Sequence, residues 1–286
     1  MLPVVLALGC AVSWLLANVT IRPVAREHGP FRALVLAQVP GLAVAALAAF
    51  LLEGAPTAPA DARSLGALAA AGVSALVAYS GLFSALDRGR LAVVAPIIAS
   101  WSALAALAGF VLFGERLGVY EAVGVSAIFL GTLALARLER GAPAHHDGRR
   151  GGVGAALASS LGFGVMVTSV KILGETTGPA WAVAWTWSAE LLLAFPLLAF
   201  RRRLLPLPSP RQWTLLARPG LCEVAGFTFM SLAVASGPVA IVAPVSNLAT
   251  ALSVAWGALV FRERLPLPAW LACLAVCAGV LLVAAS

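Results

Sequence analysis

Hydrophobic residues form long stretches along this chain, and most polar residues are confined to the short segments between them. A helix needs about 20 mostly apolar residues to cross the hydrocarbon core of a bilayer. In lipid, its backbone groups must hydrogen-bond within the segment. The pattern therefore predicts an all-α integral membrane protein with ten transmembrane helices. The predicted spans are residues 2–20, 33–52, 64–86, 91–113, 118–136, 153–172, 180–200, 212–235, 239–261 and 266–285.

Composition agrees with this interpretation. Hydrophobic residues make up 61% of the chain and charged residues only 11%, whereas a soluble domain carries roughly a quarter charged residues. The first apolar run lacks a basic n-region and a small-residue cleavage site, so we expect it to be retained as the first span. The cysteines are interpreted as small buried hydrophobes rather than a disulfide or zinc framework. They are Cys10, Cys222, Cys273 and Cys277.

The formal net charge of +7 indicates membrane topology rather than nucleic-acid binding, because the basic residues are spread over short connections and form no single stripe. Sixteen of the nineteen Lys and Arg residues fall in the odd-numbered connections, those after spans one, three, five, seven and nine. The even-numbered connections hold Arg63, Arg116 and Lys171. Positive charge marks the cytoplasmic side, so both termini are predicted to lie outside a bacterial cytoplasmic (inner) membrane. We call the two sides the odd face and the even face.

The chain matches itself without gaps at an offset of 148 residues. Ala92–Pro96 aligns with Ala240–Pro244, and Phe113–Leu117 aligns with Phe261–Leu265. Each copy holds five spans, an odd number, so the second copy enters the bilayer from the opposite side, as in many secondary transporters. The predicted organisation is a first five-helix repeat at 1–137, a basic linker at 138–151 and a second, inverted five-helix repeat at 152–286.

These repeated segments resemble the EamA family of the drug/metabolite transporter superfamily. The shared features are a proline near the start of a helix, a closing Phe-x-Glu-Arg-Leu, and a glycine about sixteen residues after the glutamate, all present in both copies. The resemblance covers essentially the whole chain and implies ten helices in two inverted repeats, a central cavity and transport of small solutes such as amino acids. It also implies cytoplasmic termini, opposite to the arginine distribution, so both orientations stay open.

Two acidic residues lie near the middle of predicted spans. Glu190 is in the seventh span and Glu223 in the eighth, and their repeat counterparts are Gly41 and Ala75. An ionised carboxylate at the centre of a bilayer costs about 3 kcal/mol, so both are candidate functional groups. We predict that they couple transport to protons, because burial favours the protonated form of a carboxyl group. The alternatives are a helix–helix hydrogen bond and, for Glu223, pairing with Arg218.

Aromatic residues accompany these acids, and Trp187 lies one helical turn before Glu190. Aromatic faces beside a carboxylate favour an organic cation. We therefore hypothesise that a cationic or zwitterionic amine lies between Glu190, Trp187 and the aromatic residues of spans one and three. Helix packing is the alternative, and Trp181, near a span end, is predicted to lie in the interfacial belt. The predicted substrate-binding residues are Trp14, Asn18, Tyr79, Phe83, Trp101, Trp187, Glu190 and Asn247.

Other polar and helix-breaking residues have two interpretations each. Asn18, Gln38 and Asn247 offer hydrogen bonds to a substrate or between helices. Pro96 and Pro244 are predicted hinges, although a helix-start role is equally compatible with the sequence. The Glu-Arg pairs at 115–116 and 263–264 are interpreted as polar stops that set the turn into the next helix. His145-His146-Asp147 has too few ligands for a metal site and is assigned to a solvated linker.

The function predicted from these features is secondary transport, in the direction of export, of a small metabolite such as an amino acid or organic amine. The sequence has no Walker-type loop, so coupling is expected to protons or to the substrate gradient rather than to ATP. The alternatives are a non-transporting membrane subunit and an intramembrane enzyme, and the spans lack the usual catalytic motifs. The expected partners are a small-molecule substrate, lipid and possibly protons, with no cofactor, metal or nucleic acid, in a monomer or homodimer.

Overall fold

The computed structural model describes residues 1–28, 30–88, 97–138, 152–200, 208–260 and 267–285, and every regular element within them is helical. The helices are α1 (Leu2–His28), α2 (Pro30–Glu53), α3 (Ala62–Arg88), α4 (Trp101–Phe113), α5 (Val119–Leu138), α6 (Gly152–Thr177), α7 (Pro179–Phe200), α8 (Pro210–Ser236), α9 (Val239–Ser246), α10 (Leu248–Val260) and α11 (Leu267–Ala285). The prediction of an all-α protein is confirmed for this part of the chain.

Six of these helices, α1, α2, α3, α6, α7 and α8, are long and apolar enough to cross a bilayer. The shorter apolar stretches are Ile97–Phe113, Val119–Ala134, Val239–Ser253 and Leu267–Val283. Together they occupy the positions of the ten predicted spans. Large apolar side chains cover the outer surface, including Phe50, Leu112, Leu192 and Leu274, which are more than half exposed. Such a surface is stable against lipid and unfavourable in water, and the chain is an integral membrane protein.

The helices pack in a bundle whose closest neighbours come from distant parts of the chain. α3 packs along α6, α1 along α8, and α5 along α11. α2 lies against both α7 and α8, α3 also contacts α7, and α4 contacts α9. Without a hydrophobic effect inside lipid, helices associate through close contact of small residues. A Cβ on Gly81 of α3 would lie 2.7 Å from the carbonyl oxygen of Ala155, and one on Gly162 of α6 would lie 2.8 Å from that of Ser74.

Two of the shorter helical stretches break in the interior of the bundle. The breaks fall at Ser100, just before α4, and at Asn247, between α9 and α10, and both residues have φ −69° and ψ −6°. Pro244 lies inside α9, three residues before the second break, and is buried. A proline has no N–H to donate to the helical hydrogen-bond ladder, and the role of Pro244 as a hinge stays a prediction. Pro96, the other predicted hinge, lies outside the described residues.

Candidate substrate cavity

A cavity of about 450 Å³ lies in the interior of the bundle. Residues of α1, α2, α3, α4, α6, α8 and α10 form its wall, together with Ile98, Ala99 and Asn247. The wall residues of α1 run from Trp14 to Ile21, those of α2 from Leu34 to Gln38, and those of α8 from Pro219 to Phe227. Given the direction of each helix, these ranges extend from its middle toward its odd-face end. The cavity therefore lies on the odd-face side of the bundle.

Glu223 supplies a carboxylate to the cavity wall. The Tyr79 hydroxyl, which also lies in the wall, donates a hydrogen bond of 2.8 Å to its Oε1. The structure thus gives Glu223 a tyrosine as partner, whereas Arg218, considered above as a possible partner, is exposed. One hydrogen bond leaves the remaining lone pairs of the carboxylate available to another donor.

Glu190 and Trp187, both predicted to contact substrate, do not belong to the cavity wall. Each is about 1% exposed, within a layer of side chains behind the wall. Glu190 Oε2 accepts a hydrogen bond of 3.1 Å from Nε2 of Gln38, which does line the cavity. The Trp187 ring lies 6.1 Å from that of Phe227. Both residues lie in this layer because α7, the helix that carries them, packs on the outer side of α2, α3 and α8 and does not border the cavity.

Aromatic rings form a connected group around the cavity. The Trp14 ring lies edge-to-face with Trp101 at 6.0 Å and with Phe227 at 5.4 Å. The centroid of the Phe163 ring lies 5.2 Å from that of Tyr79 and 6.5 Å from that of Trp101. The sequence predicted Trp14, Tyr79 and Trp101 as binding residues but missed Phe163. Phe163 lies in a glycine-rich part of α6 that carries no acid or second aromatic residue to mark it.

The remaining predicted binding residues divide into two groups. Asn18 and Asn247 both line the cavity. Asn247 also donates from Nδ2 to the carbonyl oxygen of Ala99 and to Ser102 Oγ, both at 3.1 Å, so it joins the two broken helical stretches. The side chain of Phe83 lies outside the described part of the structure. Asn247 therefore ties helices together at the border of the cavity, and its contact with substrate stays a prediction.

On the even face, Glu115 makes contacts between the two halves of the chain: it precedes the linker at 138–151, and its partners follow that linker. Its Oε1 accepts hydrogen bonds from Lys171 Nζ at 2.7 Å and from the Val239 N–H at 2.8 Å, and its Oε2 accepts from the Ala240 N–H at 2.9 Å. Gly114, with φ 64°, forms the left-handed C-cap of α4 directly before it. Besides following the end of α4, Glu115 therefore caps the N-terminus of α9, where a negative charge is stabilised by the helix dipole.

Glu53 makes the equivalent kind of contact at the end of α2. Its carboxylate accepts hydrogen bonds from the N–H groups of Ala180 at 2.8 Å and Trp181 at 3.1 Å, at the start of α7. Trp181 Nε1 donates to the Gly54 carbonyl at 3.2 Å. Trp181 is only 8% exposed and packs against the end of α2, and its position in an interfacial belt stays a prediction. We call the two caps, at Glu53 and Glu115, the even-face latch.

The fold and the cavity define a class: an integral membrane protein whose helix bundle encloses a central cavity lined by aromatic and polar residues. The sequence profile of the EamA-like transporter family matches residues 1–137 and 150–285. The chain belongs to this family of transporters, which lies within the drug/metabolite transporter superfamily, and the resemblance drawn from the repeated motifs is confirmed.

A solved structure shares the fold of this chain. A structure described only as a crystal structure of a protein aligns with a TM-score of 0.75 and 20% sequence identity, covering 98% of this chain and 95% of that chain. At this identity the match shows a shared fold and nothing about substrate. No curated protein matches the chain significantly.

Proposed function

We propose that this chain is a secondary transporter that exports a small organic amine, cationic or zwitterionic, across the bacterial cytoplasmic membrane. The observation that carries the proposal is the Glu223 carboxylate in the wall of an aromatic-lined cavity of about 450 Å³. No Lys, Arg or His occurs among the described residues that line this cavity. An ionised Glu223 therefore makes the cavity favour positive charge, and the volume lies within the usual range for small-molecule sites.

The surrounding rings add to this preference. A cation over the face of a tryptophan, tyrosine or phenylalanine ring gains about 0.5–2 kcal/mol, most when water is excluded. Trp14, Trp101, Phe163 and Phe227 lie in the same wall as Glu223. The aromatic rings also suit an apolar part of the substrate, which an organic amine has and an inorganic cation lacks.

The packing of the helices supports two inverted five-helix repeats at 1–137 and 152–286, joined by the linker at 138–151. If α1 to α3 correspond to α6 to α8, the contact of α1 with α8 corresponds to that of α3 with α6. In the same way, the contact of α2 with α8 corresponds to that of α3 with α7. The bond between Asn247 and Ala99 joins residues 148 positions apart, which is the repeat offset itself. Such contacts between equivalent positions are expected close to a two-fold axis.

This arrangement supports a mechanism of alternating access. The cavity lies toward the odd face, while the latch ties the even face closed. The distribution of arginine places the odd face in the cytoplasm, so this conformation would load substrate from the cytoplasm. Opening of the even face would then release it outside. Protonation of Glu223 would remove the charge that holds a cation, and exchange with an incoming proton would drive export, with Glu190 as a second proton acceptor.

The proposal is tested with purified protein reconstituted into proteoliposomes. Amines and amino acids are first screened for an increase in melting temperature, because a bound ligand stabilises the folded state by mass action. A hit is then assayed for counterflow and for uptake driven by an imposed pH gradient. Glu223→Gln should weaken binding about 10- to 150-fold, the equivalent of a charge-assisted hydrogen bond of about 1.5–3 kcal/mol.

Glu121→Gln is the matched control, since Glu121 is an acid at the start of α5 that lies outside the cavity wall and accepts a hydrogen bond from the Gly118 N–H at its own helix start. Unchanged affinity in Glu223→Gln would refute the amine site. Absence of counterflow for every stabilising compound would instead favour a non-transporting subunit. Counterflow without any response to the pH gradient would remove proton coupling and leave facilitated transport.

A further inference from the structure

Gln38 lies between a buried acid and the substrate cavity. It belongs to the cavity wall on α2, and its side chain is about 1% exposed. Its Nε2 donates to Glu190 Oε2 at 3.1 Å, and Glu190 itself lies behind the wall. The Oε1 atom of Gln38 is buried and has no hydrogen-bond partner among the residues that the structure describes. A buried acceptor without a donor is unfavourable, so this oxygen requires explanation.

The chemistry of the two groups explains the orientation of the amide. An ionised carboxylate only accepts hydrogen bonds, whereas a primary amide donates from nitrogen and accepts at oxygen. An ionised Glu190 therefore holds the nitrogen of Gln38 on its own side and leaves the oxygen free. A protonated Glu190 has an O–H to donate, and it allows Gln38 to turn its oxygen toward the acid and its NH₂ away from it.

We infer that Gln38 is a specificity-determining residue whose Oε1 accepts an N–H of the substrate, and that Glu190 is the positioning residue that keeps this oxygen available. The inference rests on the proposed function, because it assigns a second contact to the same amine. Glu223 recognises the positive charge, whatever groups the nitrogen carries. Gln38 distinguishes an ammonium with N–H donors from a quaternary ammonium that has none.

Protonation of Glu190 then acts on the cavity without contact with the substrate. When Glu190 takes a proton, the amide presents N–H groups to an ammonium that also carries only donors, and binding weakens. Of the titratable groups on α2, α3, α6 and α8, which pack against α7, Tyr79 and Glu223 interact electrostatically with Glu190. Both line the cavity, whereas Lys171 bonds Glu115 at the even face. Because Glu223 acts on any cation, its titration affects both kinds of ammonium alike.

The experiment compares two probes on the purified full chain: 2-phenylethylammonium and its N,N,N-trimethyl analogue, with dissociation constants measured by calorimetry. In Gln38→Met, which keeps the length of the side chain, affinity for the primary ammonium should fall about tenfold or more. Affinity for the trimethyl probe should stay within about twofold, which also shows that the variant is folded. Thr186→Val is the matched control, because Thr186 is buried on α7 one turn before Glu190 and is not part of the wall.

The pH profile tests the role of Glu190. The preference for the primary over the trimethyl probe should fall on acidification in the wild type and should be smaller and independent of pH in Glu190→Gln, because a glutamine both donates and accepts. If both probes bind but their ratio is the same in wild type, Gln38→Met and Glu190→Gln, this inference is overturned while the amine site stands. If neither probe binds the wild-type protein, the amine site and this inference are both overturned.

Discussion

The even-face latch predicts how one substitution shifts the protein between conformations. Glu115 bonds Lys171 and the N–H groups of Val239 and Ala240, and its side chain is 8% exposed. Glu115→Gln keeps the shape but removes the charge, and it places an NH₂ against one of three donors. The substitution should therefore favour a conformation in which α4 and α9 separate at the even face.

The magnitude follows from the lost contacts. A hydrogen bond to a charged group contributes about 1.5–3 kcal/mol, and a carboxylate at a helix N-terminus contributes about 0.3–2 kcal/mol. Allowing for the bonds that a glutamine retains, the closed even face should lose about 2–4 kcal/mol. At about 1.4 kcal/mol for each factor of ten, this shifts the equilibrium toward the open face roughly 30- to 700-fold.

The assay measures how fast a thiol at the latch reacts. Val239 is fully buried, and Val239→Cys keeps the backbone N–H that bonds Glu115. This substitution is made in a chain whose native cysteines are replaced by alanine, and the protein is treated with a membrane-impermeant maleimide. The labelling rate should rise in proportion to the open population when Glu115→Gln is added. Labelling from outside intact cells would place the even face outside, and labelling only in inside-out vesicles would reverse the orientation.

Glu121→Gln again serves as the control, because it removes an acid near the end of the same connection without breaking a contact between α4 and α9. The two variants should differ in labelling rate by about 30-fold or more, which is the shift that corresponds to a loss of about 2 kcal/mol. Equal rates would refute the reasoning that Glu115 holds this face closed.

Three further predictions concern packing, surface charge and helix capping. Gly220→Ala should lower the melting temperature markedly and reduce the yield of folded protein in detergent, because its Cβ would overlap the backbone carbonyl oxygen of Ala37 on α2. An unchanged melting temperature would contradict the close packing of α2 on α8. Arg63→Ala should change the free energy of unfolding by less than about 1 kcal/mol, because its 3.0 Å ion pair with Glu175 is exposed, and a larger loss would show that this pair helps to close the even face. Hydrogen bonds from the hydroxyl and then from the backbone N–H of Ser64 lower the pKa of Asp61. The first amides of α3 should therefore stay protected from hydrogen exchange until the pH falls below the ordinary range of an aspartate. Asp61→Asn should show no such transition.

Much of the fold could be predicted from the sequence because lipid imposes a simple rule on it. Stretches of about 20 apolar residues marked the positions of all ten helical stretches, and helix-breaking residues marked most of the connections. Glu223 was also predicted as a candidate functional group from its chemistry alone, since an acid within an apolar span is unusual, and the structure places it in the cavity wall. The two Glu-Arg-Leu segments identified the family.

The candidate site was predicted less completely. Glu190 and Glu223 have similar positions in their spans, yet only Glu223 reaches the cavity, while Glu190 bonds a side chain 152 residues away. Phe163 had no distinguishing neighbour in the sequence. Glu115 was interpreted as a local stop, and its contacts with Lys171 and Val239 are 56 and 124 residues away along the chain.

The sequence by itself determined that this chain lies in a membrane as a bundle of helices, which family it belongs to and which residues carry charge within the spans. Only the tertiary structure decided which side chains face the cavity, which lie behind its wall and which acids cap the helices of the other half of the chain. The physical reason is that a membrane helix is apolar toward lipid and toward its neighbours alike. Its hydrophobic periodicity therefore does not distinguish the two faces, and the distinction depends on how helices distant in the chain pack against each other.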